Sequence, residues 1–170
     1  MKLLSDWGFT REGWRTGQRG EYWVLLQGFL LLGVVLLPVY RLPSLTIIPP
    51  GLYGLWGIAG AIALLAIILL GKGLLDLGQS LTPLPFPRED GQLVQTGVYG
   101  LVRHPIYSGL ILGILSYAIA QQSLSHLLAA FIFILFFNAK ASREEIWLTE
   151  KYPDYADYRQ RAKKLIPWIY

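Results

Sequence analysis

A chain of 170 residues with 54% apolar content and positive mean hydropathy carries more hydrophobic surface than one soluble core of that length needs, and it reads as one small integral membrane domain. The absence of cysteine excludes a disulfide framework, a thiolate metal site and a cysteine nucleophile, and two histidines offer no zinc-ligand spacing. The net charge of +4 forms no isolated basic patch, so anionic lipid headgroups suit it better than nucleic acid.

Four apolar stretches follow in chain order: Tyr22 to about Tyr40, Gly51 to Leu70, Ile106 to Ala120, and Leu124 to about Asn138. The first could be a signal peptide but reads as a mature helix, because a mixed-charge segment precedes it and Pro38-Val39-Tyr40-Arg41 is no small-residue cleavage site. The second matches a hydrocarbon core of about 30 Å at 1.5 Å per residue. The last two are short, and extension into their polar flanks makes them a helical hairpin turned at Gln121-Gln122-Ser123. Re-entrant segments are the lesser alternative.

The expected architecture is therefore an all-α integral membrane protein with about four transmembrane helices and a C-terminal amphipathic helix. With four spans, the N-terminus, the loop from Gly71 to Val102 and the C-terminal tail share one side. All of the 15 Lys and Arg residues except Arg41 fall on that side, which predicts cytoplasmic N- and C-termini.

Within the central loop, Pro83, Pro85 and Pro87 alternate and hold Thr82 to Arg88 extended, as a strap across a site or as a stiff connector. Asp76 reads as a solvated loop acid and His126 as a solvated surface histidine at the far-side turn. After Asn138 a helix continues out of the bilayer, where Lys140 and Glu144 share a face. They form either an i,i+4 ion pair or a site in which the carboxylate binds a polar cofactor group and the cation an anionic substrate. From Lys151 to Lys164 an aromatic and basic helix ends before Pro167. It reads as an interfacial anchor with tyrosines at headgroup depth, or as a lid, and Trp168 and Tyr170 fit the same aromatic belt.

The densest polar cluster is Arg103-His104-Pro105-Ile106-Tyr107-Ser108-Gly109, at the mouth of the third apolar run, where polar groups usually serve function. His104 as a general base lacks a serine or carboxylate at triad spacing. Gly71-Lys72-Gly73 does not extend to a Rossmann fingerprint. The residues alone thus define a membrane-embedded site with cationic, hydrogen-bonding and carboxylate groups.

The run from Gly97 to Gly109, followed by Glu144-Glu145-Ile146-Trp147-Leu148 and by Tyr155 and Tyr158, resembles the isoprenylcysteine carboxyl methyltransferase family and the related phospholipid methyltransferases. The resemblance covers residues 77–167 of a single 1–170 membrane domain. It implies an S-adenosyl-L-methionine-dependent membrane methyltransferase with a non-Rossmann cofactor site, acting on a lipophilic small molecule or lipid. By position it implies that Gly91, Gln92, Leu93, Val94, Tyr99, His104, Pro105, Ile106, Tyr107 and Glu144 line the cofactor pocket. No residue is assigned a catalytic role, and Arg103 and Glu145 organise the site, Arg103 pairing with Glu144 or Glu145. Where the protein-prenylcysteine enzymes have an arginine four residues before the first glutamate, this chain has Lys140, which keeps the charge but not the planar fork. Lys140 is therefore the expected substrate contact.

Two other readings stand beside this one. Sterol reductases, which use NADPH, carry a similar arginine-histidine-proline motif and a terminal pattern like Pro167-Trp168-Ile169-Tyr170. A non-enzymatic membrane subunit, with the charges pairing helices and anchoring lipid, is the third.

Overall fold

The computed structural model describes residues 7–45, 47–167 and 169–170; the expectation for Trp168 lies outside the described residues. Among these the chain is mostly helical, with turns and extended loops and no strand longer than a single bridge. Six α-helices follow in order: α1 Arg11–Thr16, α2 Glu21–Leu36, α3 Gly51–Leu77, α4 Pro105–Ala120, α5 Leu124–Lys151 and α6 Tyr155–Arg161. The stretches Gly51–Ser80 and Leu124–Lys151 are long and apolar enough to cross a membrane, whereas α2 and α4 are shorter apolar helices. At 1.5 Å per residue, the 16 residues of α2 or α4 reach only about 24 Å.

Several boundaries differ from the sequence reading, for local reasons. The first run is helical only to Leu36, because Leu37 precedes Pro38 and takes an extended conformation with ψ 126°. The second continues two turns past Leu70, so Asp76 is no loop acid. It sits on the last turn of α3, pairs with Lys72 at 3.0 Å and accepts the Val98 backbone N–H at 3.1 Å. That bond fixes the 3₁₀ turn Gly97–Gly100 against α3.

The α4–α5 hairpin turns where expected. Pro105 occupies the first turn of α4, where its missing N–H costs nothing, and Ser123 caps α5. His126 is not a surface histidine: it is buried against Ser123 Oγ at 2.8 Å, with the Tyr117 ring edge-on to it at 4.8 Å.

The most extensive packing is α3 against α4. A Cβ at Gly109 would lie 2.9 Å from the Ala66 carbonyl and from the Leu70 nitrogen, so only glycine permits this approach. On the other side of α4, Ile111 meets Phe133, Phe136 and Phe137 of α5. Large apolar side chains such as Phe29, Val35 and Ile67 face outward, while Lys140, Glu145, His104 and Ser108 are buried. Apolar outside and polar inside suits a lipid environment.

The tail also departs from expectation. Tyr152 is extended before Pro153, so α6 is confined to Tyr155–Arg161. Tyr155 and Tyr158 are not headgroup anchors, since both are buried in the protein and Tyr158 Oη donates to the Tyr99 carbonyl at 2.7 Å. After α6 the backbone runs beside Val102 as a parallel bridge to Lys163. There the Arg103 and His104 amides donate to the carbonyls of Lys163 and Lys164 at 2.7 and 3.2 Å. Ser108 Oγ donates to the Leu165 carbonyl at 2.6 Å.

Candidate functional site

The start of α4, the middle of α5, the loop before the 3₁₀ turn and α6 surround a cavity of about 310 Å³. This lies in the range of about 300–1,000 Å³ typical of small-molecule sites. Gly91, Gln92, Leu93, Val94, Tyr99, Arg103, His104, Pro105, Ile106, Tyr107, Lys140 and Glu144 all line it. Of the site residues expected from the sequence, Glu145 alone is not on the wall; it stands behind it, buried.

Glu145 organises that wall. Its Oε1 accepts from Arg103 Nε at 2.8 Å and lies 3.1 Å from His104 Nε2, while Oε2 is 3.7 Å from Arg159 Nε. The Arg103 guanidinium also donates to the carbonyls of Arg159 and Ala162, stitching α6 to α4. Arg103 therefore pairs with the second glutamate, and the first is left facing the cavity. Glu144 accepts the Tyr107 hydroxyl at 2.8 Å and lies 3.7 Å from His104 Nδ1. The rings of His104, Tyr107 and Phe137 stack in sequence, at centroid distances of 5.4 and 4.6 Å, which holds each at a fixed angle.

Lys140 does not form the i,i+4 ion pair with Glu144. Its Nζ turns to Gln27 Oε1 at 2.6 Å and the Pro83 carbonyl at 3.1 Å, and lies 5.2 Å above the Tyr107 ring. Tyr107 thus carries the carboxylate of Glu144 at its hydroxyl and the ammonium of Lys140 over its face.

The loop 91–94 is held by local bonds. Ser80 Oγ exchanges hydrogen bonds with the Gln92 backbone, and Tyr152 Oη donates to the Gly91 carbonyl at 2.8 Å. The Lys151 ammonium donates to the carbonyls of Arg88 and Glu89. Thr82, Pro83, Leu84 and Pro87 border the cavity, so the proline segment is a strap across it. Burial pushes the phenol groups of Tyr99, Tyr155 and Tyr158 above their ordinary range, with the Glu144 charge adding to the effect at Tyr99 and the charges of Glu145 and Glu144 at Tyr155. All three stay neutral hydroxyls.

Among the wall residues that the sequence reading did not single out are Trp7, Gln27, Leu74 and Leu77. Only Gln27 carried a signal, as an isolated amide inside an apolar run. The others are ordinary apolar and aromatic residues placed by the fold.

The sequence profile of the phospholipid methyltransferase family matches residues 55–155. The chain is 32% identical over 106 residues to the cobalt-zinc-cadmium resistance protein CzcN of Cupriavidus metallidurans, covering 61% of this chain and 49% of that one. It is 29% identical over 107 residues to the nickel-cobalt-cadmium resistance protein NccN of Alcaligenes xylosoxydans xylosoxydans, covering 62% and 50%. It is 31% identical over 127 residues to protein-S-isoprenylcysteine O-methyltransferase B of Arabidopsis thaliana, covering 71% and 64%. The match thus spans about half of the first two relatives and under two thirds of the third. A profile that covers more than half of the chain, and takes in both the α4 motif and the acidic pair of α5, settles its kinship: the chain belongs to the phospholipid methyltransferase family.

Proposed function

We propose that this protein is an S-adenosyl-L-methionine-dependent membrane methyltransferase whose acceptor is a lipophilic carboxylate, an isoprenoid acid being the leading class. The observation that carries this reading is the placement of Glu144 and Lys140 on either side of Tyr107 in one cavity. The family match supports methyl transfer over the reductase and the non-enzymatic readings.

The cavity residues fit the cofactor's chemistry. Glu144 presents a carboxylate that accepts hydroxyl donors such as those of a ribose. Tyr99 and His104 offer flat surfaces for a purine and a π-face for a cation, Tyr107 is held by its stack as part of the wall, and the backbone of 91–94 offers amides and carbonyls. When bound, S-adenosyl-L-methionine supplies an electrophilic methyl group. The protein's own part is alignment: Lys140 draws the acceptor's anion to the face of Tyr107, and the strap and α6 keep water from the site. A carboxylate acceptor is already ionised at neutral pH, so no general base is required and His104 is a binding residue.

The same reading takes residues 1–170 as a single membrane domain with its methyltransferase-like motifs in 77–167. It has four spans, α2 to α5, and both termini in the cytoplasm, where a soluble cofactor reaches the cavity. The lipid acceptor reaches it from the bilayer.

Calorimetric titration of S-adenosyl-L-methionine into detergent-purified, folded protein tests the proposal. Saturable binding is expected; its absence overturns the reading. Transfer of labelled methyl into a native lipid extract then identifies the acceptor.

A further inference from the structure

We propose that Gln27 is a specificity-determining residue of the acceptor site, forming with Lys140 a donor pair that admits anionic head groups and rejects amine head groups; this rests on the methyltransferase reading above. Gln27 belongs to α2, outside residues 55–155, so it is a feature that the family profile does not carry. Between Val24 and Leu36 it is the only side chain able to form ordinary hydrogen bonds, and it faces the protein interior, as a polar group in an apolar helix generally does.

An ammonium can only donate, so the Gln27 carbonyl oxygen must be the atom that meets Lys140 at 2.6 Å, and the amide NH₂ points away from it. No described residue accepts from that NH₂. Two of the three ammonium protons go to Gln27 and to the Pro83 carbonyl, and one remains. Lys140 is buried, and no carboxylate among the described residues lies within ion-pair distance of it. A buried charge normally has a counter-ion. Both side chains border the cavity, whose wall also holds apolar Leu74 and Ile106.

The remaining ammonium proton and the amide NH₂ together offer donors to the two oxygens of a carboxylate. A protonated amine on the same tail meets a like charge at Lys140 and an amide NH₂ that can only donate, which costs affinity there.

The test uses the full chain in detergent with farnesoic acid and farnesylamine, which share a tail and differ in head-group charge. Affinity is measured by calorimetry, separately from methyl transfer. The wild type should bind the acid more tightly than the amine. Gln27→Glu replaces the NH₂ with oxygen and supplies Lys140 with a counter-ion. It should weaken farnesoic acid binding by about tenfold or more while leaving S-adenosyl-L-methionine affinity and Tm in place.

Gln27→Leu should raise KM for the acid by about tenfold with kcat retained, if the acid is methylated. Equal binding of the two probes by the wild type, or unchanged acid affinity in both variants, overturns the assignment. Selective acid binding that Gln27→Glu abolishes, without any methyl transfer, leaves Gln27 in its role and overturns the methyltransferase reading instead.

Discussion

Arg103 and Glu145 lie 42 positions apart and meet in a buried ion pair, Nε to Oε1 at 2.8 Å. The pair joins the mouth of α4 to the middle of α5, and through Arg159 and Ala162 it reaches α6 as well. One carboxylate therefore sets the relative position of three helices around the cavity. Its contribution is to geometry, since it does not face the cavity itself.

Glu145→Ala should consequently be among the most damaging single substitutions. Removing one member of a buried pair leaves an uncompensated charge, at a cost of about 3–5 kcal/mol. Thermal unfolding in detergent should show a large fall in Tm or loss of folded protein. A Tm within a few degrees of wild type would contradict the organising role.

Glu144→Gln separates binding from folding. Glu144 is partly exposed to the cavity and among the described residues pairs only with Tyr107 and the His104 ring, so its loss should leave Tm nearly unchanged. S-adenosyl-L-methionine affinity should fall by about tenfold or more, the worth of hydrogen bonds to a charged group. Retained affinity measured by calorimetry would remove Glu144 from the cofactor site.

Gly97→Ala tests the seat of Tyr99. Gly97 has φ +62°, and a Cβ there would lie 2.1 Å from Asp76 Oδ2, which would break the bond to Val98. Left-handed strain and the lost bond together should cost about 2–4 kcal/mol. Denaturant unfolding that shows no loss of stability would mean that the turn has another support.

The buried tyrosines make a prediction about alkaline pH. With the phenol groups of Tyr99, Tyr155 and Tyr158 raised by burial, folded and unfolded chains are equally protonated below about pH 10. Stability from these groups is complete there and falls as pH rises, because the unfolded chain ionises first. The slope is about 1.4 kcal/mol per pH unit for each group. Ultraviolet titration should find these tyrosines non-ionising until the protein unfolds, and Tyr158→Phe should flatten the pH dependence of Tm. Ionisation of all tyrosines near pH 10 in folded protein would refute the burial.

Much of the site was legible because its residues sit in short motifs whose order alone identifies them. Arg103 to Gly109 and the Glu144-Glu145 pair do converge, and the hairpin turn at 121–123 follows from polar residues between two apolar runs. What was not legible depends on direction. Tyr155 and Tyr158 read equally well as pointing to lipid or to protein, and they turn inward because α6 is docked by the bridge at Lys163 and by the Arg103 bonds to the Arg159 and Ala162 carbonyls. Which of two adjacent glutamates takes the arginine is a matter of helix rotation that spacing does not fix. Asp76 and His126 misled for a related reason, since each looks solvated until a distant partner, Val98 or Tyr117, is placed against it.

The parallel bridge between Val102 and Lys163 joins two segments that α4 and α5 separate in the chain. The wall carrying Arg103 and His104 therefore has its backbone partners only while both helices are paired and α6 is seated beside them. A molecule from which α6 has come away keeps the whole arginine-histidine-proline motif and yet holds no finished ligand site.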